Sequence, residues 1–307
     1  MNLVEYGIDT SQLREITLAD KPKIDSLLSL APNLGCENCF TNLFVWRGIY
    51  LLKLLYIAED RAVIYNGRDK CIYFPIGRIP SPRELLEIHR AFSENKLLLP
   101  DSRIYNVPPD YPEKFPEAQA LFDFDANPGE ADYIYDVEKQ IALTGPKLRK
   151  KRNHIKHFTA QNPNASVEPI GESNFKSVLR FMDSEDDKKH LFAEEVAIAE
   201  AFENFRTLGL YGTVLYSEPG KIAAAAVMGP MSSTAHSVHF EKSDKLVEGA
   251  SQMIVKGEAQ SILEHGGKFM NREQDLGDPN LRHAKESLDP DFMYGRLGAK
   301  PRKGATA

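Results

Sequence analysis

Lys268-Phe269-Met270-Asn271-Arg272-Glu273-Gln274-Asp275-Leu276-Gly277 is the stretch whose reading decides this chain. A short apolar strand runs into Asn271 to Asp275, five consecutive polar residues of which three are charged. A turn at Gly277-Asp278-Pro279 follows, then a segment carrying Arg282 and Lys285. A core strand needs only one or two turn residues at its end. This density of donors and acceptors therefore predicts the floor of a binding or catalytic cleft, built where a strand empties into a loop.

Outward from that stretch, one order of elements occurs twice. In the first half a strand at 13–17 precedes a helix from Asp20 to Leu30, with Ile24, Leu27 and Leu28 on its apolar face. A short helix at 40–46 follows, then a hairpin at 51–58 and 61–65 that turns at Glu59-Asp60. A strand at 71–77, a helix from Pro82 through Phe92 and a strand at 102–107 complete it. The second half has a strand at 166–170, a helix at 173–182 and an amphipathic helix at 192–208 closed by Gly209. A hairpin at 210–216 and 222–228, a strand at 235–241, a helix at 249–264 and a strand at 268–272 follow, with a closing strand at 292–297. The topology repeats without a residue-level repeat. The expected fold is α+β, with a domain at 1–140, a basic connecting helix at 141–160, and a domain at 161–307 that carries the site.

A length of 307 residues accommodates two ordinary domains, and 42% apolar with 27% charged residues is the balance of a soluble globular protein. The net charge of −6 speaks against a protein that coats nucleic acid, and no duplex DNA partner is expected. The charge is uneven, however: residues 146–158 carry six basic side chains and no acidic one. Cys36, Cys39 and Cys71 give no disulfide framework. Cys36 and Cys39 have C-x-x-C spacing, but no second pair completes a zinc set, which points to reduced structural thiols. The longest apolar run, 49–58, is interrupted by Lys53 and is far below the ~20 residues of a membrane span. With Glu5 and Asp9 near the start, no secretory signal is read, and a cytoplasmic location is expected.

The order of elements resembles the acyl-CoA N-acyltransferase (GNAT) fold used in tandem. More specifically, the chain resembles the domain at the C-terminus of phosphatidylglycerol lysyltransferases. The residues that carry the likeness are Asn42-Leu43-Phe44-Val45-Trp46-Arg47, Asp132-Tyr133-Ile134-Tyr135 and Lys147-Leu148-Arg149-Lys150-Lys151-Arg152-Asn153-His154. His239-Phe240-Glu241-Lys242 and Asn271-Arg272-Glu273-Gln274-Asp275-Leu276-Gly277 join them, with Leu281-Arg282 and Ala284-Lys285 behind. The resemblance covers nearly the whole chain. It implies two GNAT-like domains, each a mixed, mostly antiparallel sheet flanked by helices, similar to the Fem transferases that add amino acids to peptidoglycan precursors. The donor it implies is a CoA thioester or an aminoacyl-tRNA, and the acceptor an amine or hydroxyl, a phospholipid headgroup among them.

Acyl transfer needs a held donor, a polarised carbonyl and a deprotonated nucleophile. In a GNAT domain the donor pyrophosphate sits at a helix start, here matched by Gly249, Ala250 and Ser251. Only one glycine is present and Glu248 adjoins it, so a plain glycine-initiated helix competes with a phosphate loop. Glu241, ending its strand, could act as general base; a structural ion pair with Arg272 or Lys285 is the other reading. Lys242 beside it would favour the ionised carboxylate. Glu273 and Asp275 alternate about Gln274, so they would share a face and could orient an ammonium group, or else be salt-bridged loop anchors. Asn271 and Arg272 line the same stretch. Arg282 and Lys285, three apart on one helix face, could clamp a phosphate.

In the basic segment Arg149 and Lys150 look outward, with Arg152 in the same run. They could neutralise tRNA or lipid phosphates, or pair with the acidic body as a mere connector. The histidines show no metal-ligand spacing, so no catalytic metal is expected. No activated serine or cysteine is apparent in the region, which favours direct transfer without a covalent enzyme intermediate. A non-catalytic binding module and a plain acetyl-CoA-dependent N-acetyltransferase are the competing functions.

Overall fold

The computed structural model describes residues 7–183 and 191–305, so Glu5 lies outside the described residues. The chain forms two compact units, Met1–Glu130 with Gly295–Ala307, and Ala131–Tyr294. The expected boundaries at 140 and 160 differ from these: the basic helix lies within the second unit and the C-terminal tail belongs to the first.

The first unit holds β1 (Arg14–Glu15), β2 (Leu52–Ala58), β3 (Arg61–Asn66), β4 (Cys71–Tyr73), β5 (Ile76–Gly77), β6 (Ile104–Val107) and β7 (Phe122–Ala126). They assemble in the order β1-β2-β3-β4-β6, then the C-terminal strand Leu297–Pro301, then β7, with β5 added to β3. Among the described residues of this unit, only β4 and β6 pair in parallel. Their crossover contains the helix Pro82–Glu94, started by a capping box between Ser81 and Glu84 with Pro82 in its first turn. Leu85, Ile88 and Phe92 of that helix are buried against Val63, Ile72 and Ile104 of the sheet. The strand expected at 71–77 is divided, because Pro75 supplies no N–H to the ladder. All three cysteines are buried thiols outside any disulfide. Burial pushes the Cys71 thiol up to about 12, and Cys39 caps the helix Phe40–Val45 by accepting from Asn42 N.

The second unit holds β8 (Asp132–Asp136), β9 (Ser166–Pro169), β10 (Tyr211–Glu218), β11 (Lys221–Pro230), β12 (Ala235–Ser243), β13 (Phe269–Asn271) and β14 (Phe292–Tyr294). The sheet runs β14-β8-β13-β12-β11-β10-β9. Again one neighbouring pair, β12 and β13, is parallel, and its crossover contains the helix Ala250–Glu264. Ile254, Val255, Ala259 and Ile262 of that helix bury themselves against Ala224, Ala226, Met228, Val238 and Met270. The alanines keep the sheet surface low, so the helix lies close to it. The basic helix Arg149–Gln161 packs on the same helix through Phe158. The helix expected at 192–208 divides into Leu191–Glu203 and Phe205–Leu208. Between them Asn204 Nδ2 donates to Glu200 O at 2.9 Å, the local side-chain bond by which asparagine competes with helix continuation. Gly209, with φ 74°, closes the second piece as expected. Among the described residues no helix is long and apolar enough to cross a membrane.

Candidate functional site at the parting of two parallel strands

β12 and β13 pair through Ala235↔Phe269, His236↔Met270 and Ser237↔Asn271, and there the ladder ends. β12 continues to Ser243 on its other neighbour, β11. Beyond Asn271 the other chain follows β8 instead: Arg272 N donates to Tyr133 O at 3.0 Å, and Tyr133 N to Glu273 O at 3.3 Å. The carboxyl ends of two parallel strands thus separate, and side chains reach across the gap. Ser237 Oγ donates to Glu273 Oε1 at 2.9 Å, His239 Nδ1 lies 3.4 Å from the same oxygen, and Arg272 pairs with Glu241.

A bulge in β12 distributes these groups over both faces. β11 pairs Val227 with Phe240 and Met228 with Val238, so His239 is the extra residue. Ser237 and His239 meet Glu273 on one face. Val238 packs under the helix Ala250–Glu264 on the other, and past the bulge Glu241 reaches that same helix. Strict alternation would have placed Val238 and Glu241 on opposite faces.

On the helix face Arg272 Nη1 donates to Glu258 Oε2 at 2.9 Å while its other terminal nitrogen holds Glu241. The Glu258 side chain is wholly buried. Burial first, and the Glu241 carboxylate second, raise Glu258 well above the carboxylate range against the pull of Arg272. Burial opposes the Arg272 cation, but Glu241 and Glu258 more than offset it and keep the guanidinium charged. Glu258 was missed from the sequence, although a signal was there: it stands four residues after Ile254 and four before Ile262, a carboxyl in the buried stripe of an amphipathic helix.

On the other face Asn271 is wholly buried; its Nδ2 donates to Asp132 Oδ2 at 3.2 Å and its Oδ1 accepts from Glu273 N at 2.6 Å. That bond holds Glu273 at φ 56°, a left-handed backbone unusual for glutamate. The Glu273 side chain keeps 24% of its surface exposed, against 1% for His239. Glu273 accepts from the neutral Ser237 hydroxyl and still keeps part of its side chain exposed.

The remaining expected groups are committed to the architecture. Asp275 does not share a face with Glu273, since the strand ends before either. It accepts from Tyr133 OH at 2.6 Å, Arg282 Nε at 2.8 Å and Gly277 N at 2.8 Å, and its side chain is 1% exposed. The Arg282 hydrogen bond leads in holding the Asp275 carboxyl well below the usual range. Arg282 is tied to Asp275, and Lys285 donates to the carbonyls of Arg272, at 2.6 Å, and Gln274. Lys242 Nζ reaches Met182 O at 3.3 Å. Arg152 donates to the carbonyls of Leu143 and Gly145, whereas Arg149 and Lys150 are exposed as expected.

Gly249 opens the helix Ala250–Glu264 at φ 85°. A Cβ there would stand 2.8 Å from both His154 O and Phe158 Cβ, so the glycine serves a close approach to the basic helix. Ala250 is buried and its N–H is used by Val247 O at 3.2 Å, while Ser251 is half-buried. Gly249→Ala is expected to lower stability by ~2–3 kcal/mol, from left-handed strain plus overpacking, measured as a shift in urea midpoint at unchanged slope. An unshifted midpoint would show that the two helices are not in that contact.

The model of the family described as phosphatidylglycerol lysyltransferase, C-terminal, matches residues 29–296. Among solved structures, a conserved protein of unknown function from Bacteroides thetaiotaomicron is similar with a TM-score of 0.84 and 28% identity, covering 95% of this chain and 99% of that one. L-PGS from Bacillus licheniformis is similar with a TM-score of 0.65 and 15% identity, over 94% of this chain and 93% of its own. FemX follows at 0.62 and 9%, over 94% and 96%. The last two are likenesses of fold. The architecture is a tandem of two GNAT-like folds.

Proposed function

The chain belongs to the phosphatidylglycerol lysyltransferase C-terminal family, and on that premise we propose that it moves an aminoacyl or acyl group at the opening between β12 and β13. What most supports this reading is the parting of the parallel strands at Ser237 and Asn271, with Glu273 partly open at its rim. In the proposed reaction an acceptor amine or hydroxyl attacks the ester carbonyl of an aminoacyl-tRNA. Glu273, held by Ser237 and placed beside His239, takes the proton from the nucleophile. The proton passes to the departing 3′-hydroxyl as the ester bond breaks. Glu241 stays paired with Arg272 and fixes the opposite wall. A tRNA ester suits the chain better than a CoA thioester, because the helix start at Gly249 is backed by His154 and Phe158. In this proposal the exposed cations Arg149 and Lys150 meet phosphates of tRNA or of a phospholipid headgroup.

Thermal shift against aminoacyl-tRNA, phosphatidylglycerol, acetyl-CoA and CoA, followed by transfer of a labelled aminoacyl group, tests the proposal. Stabilisation by aminoacyl-tRNA with transfer is expected, and Glu273→Gln should lower kcat/KM by ~10²–10⁴ with the fold intact. Stabilisation by CoA alone would replace this reading with an acetyltransferase. The second reading, a non-catalytic binding module, is favoured by the internal commitment of Asp275, Arg282 and Lys285. Binding that survives both Glu273→Gln and Glu241→Gln without turnover of any donor would establish it.

A further inference from the structure

Leu246 is the most exposed large apolar side chain among the described residues, with 94% of its surface open. It is not a loose end. Val247 N donates to Asp244 O at 3.1 Å and Leu246 N to Asp244 Oδ1 at 2.8 Å, so a hydrogen-bonded turn braced by an aspartate side chain holds Leu246 at its tip. Val247, the next residue, turns inward onto the core. The chain thus folds one apolar residue in and holds its neighbour out, at a cost in exposed apolar surface that nothing within the unit offsets.

The turn lies along the basic helix Arg149–Gln161. His154 Nδ1 is 3.8 Å from Glu248, and Gly249 rests against His154 and Phe158. Lys150, His154 and His157 are four and three residues apart, hence on one helix face, and that face borders the turn. Arg149, Lys150 and Lys156 are exposed and make no ion pair among the described residues; Lys245, exposed, adjoins Leu246. Of the two acidic groups at this edge, Glu248 sits beside His154 and Asp244 braces the turn. In a chain of net charge −6, a run of six bases and no acid from 146 to 158 is set beside a protruding leucine.

We propose that the Asp244–Val247 turn and the exposed face of the helix Arg149–Gln161 form a docking surface for an anionic phospholipid bilayer, with Leu246 entering the interface and Arg149, Lys150 and Lys156 facing headgroup phosphates. Cations alone would suit RNA equally. A leucine held in water beside them is what a bilayer interface rewards, because it offers apolar depth behind a charged surface. The surface deepens the transferase reading, since it would bring a lipid acceptor to the chain, but docking does not require transfer.

Flotation of the full chain with vesicles of mixed phosphatidylglycerol and phosphatidylcholine, against phosphatidylcholine alone, tests it. Binding confined to the anionic vesicles and weakened by salt is expected. Leu246→Asp should weaken it about tenfold, and Lys150→Ala or Lys156→Ala about fivefold each, with thermal melting unchanged because these side chains are exposed. Leu246→Trp should strengthen it. Failure to float with anionic vesicles, or flotation indifferent to Leu246→Asp, overturns the proposal. Retention of tRNA unaffected by Leu246→Asp, with no flotation, assigns the cationic face to RNA instead. Transfer to a short-chain, water-soluble phosphatidylglycerol separates the two readings: if it persists while flotation fails, the docking surface is wrong and the transferase stands.

Discussion

Replacing Arg272 by methionine is expected to destabilise the protein by ~3 kcal/mol, at the low end of the cost of breaking a buried ion pair. Arg272 is the one cation that both Glu241 and Glu258 are shown to hold, and its side chain is 12% exposed. Methionine restores most of the volume, so the loss is electrostatic rather than a cavity. The full range would apply if two carboxylates were stranded. Here burial already favours the protonated form of Glu258, and Glu241, with 19% of its side chain in water, loses its partner. Arg272→Lys should recover little, because an ammonium cannot reach both carboxyls with the planar fork of a guanidinium. Urea unfolding near neutral pH measures both variants. Equal stability of wild type and Arg272→Met would show that the pair is not formed.

The second large effect is a pH dependence carried by Glu258. In the folded chain its acid form persists well above the ordinary value of 4.5, at which the unfolded chain releases the proton. Between those two values the folded state binds more protons than the unfolded one. Stability therefore falls as pH rises through this window, by up to about 1.4 kcal/mol per pH unit. The direction is opposite to that of an ordinary salt-bridged carboxylate such as Asp275, whose contribution is lost only as pH falls toward strong acid. Glu258→Gln keeps the size but has no proton to lose. It is expected to match wild type near pH 5, exceed it at pH 8, and flatten the slope between them. Urea midpoints at the two pH values decide it, and an unchanged slope in the variant would place the linkage elsewhere.

These two effects arise from a cluster only half visible in the sequence. Arg272 and Glu241 stood out because polar residues following a strand have no packing reason to be there, and their ion pair was one of two readings offered. Glu258, the partner that sets the pH behaviour, is separated from both in the chain and looks like a solvated helix residue until its position between Ile254 and Ile262 is weighed. The strand of Asp132 to Asp136 likewise went unrecognised, though its residues carried the family likeness. Asp275 was offered both as a ligand contact and as a salt-bridged loop anchor, and the structure pairs it with Arg282, since a charge near a cleft in sequence carries no information about which neighbour satisfies it.

Local patterning was enough for the α+β class, the two-fold repetition of elements, the amphipathic helices and the turn chemistry at Pro82 and Gly209, because each depends on residues within one or two turns of the chain. Some strand partners lie more than a hundred residues apart, so only tertiary structure sent Leu297–Pro301 back to the first sheet and set β8 beside β13. The same holds for the site. Alternation along a strand assigns faces correctly until one extra residue intervenes, and the bulge at His239 is a property of the β11–β12 ladder rather than of either strand alone. That single displacement put Glu241 with Arg272 and Glu258 and left Glu273 with Ser237 and His239 on the other side.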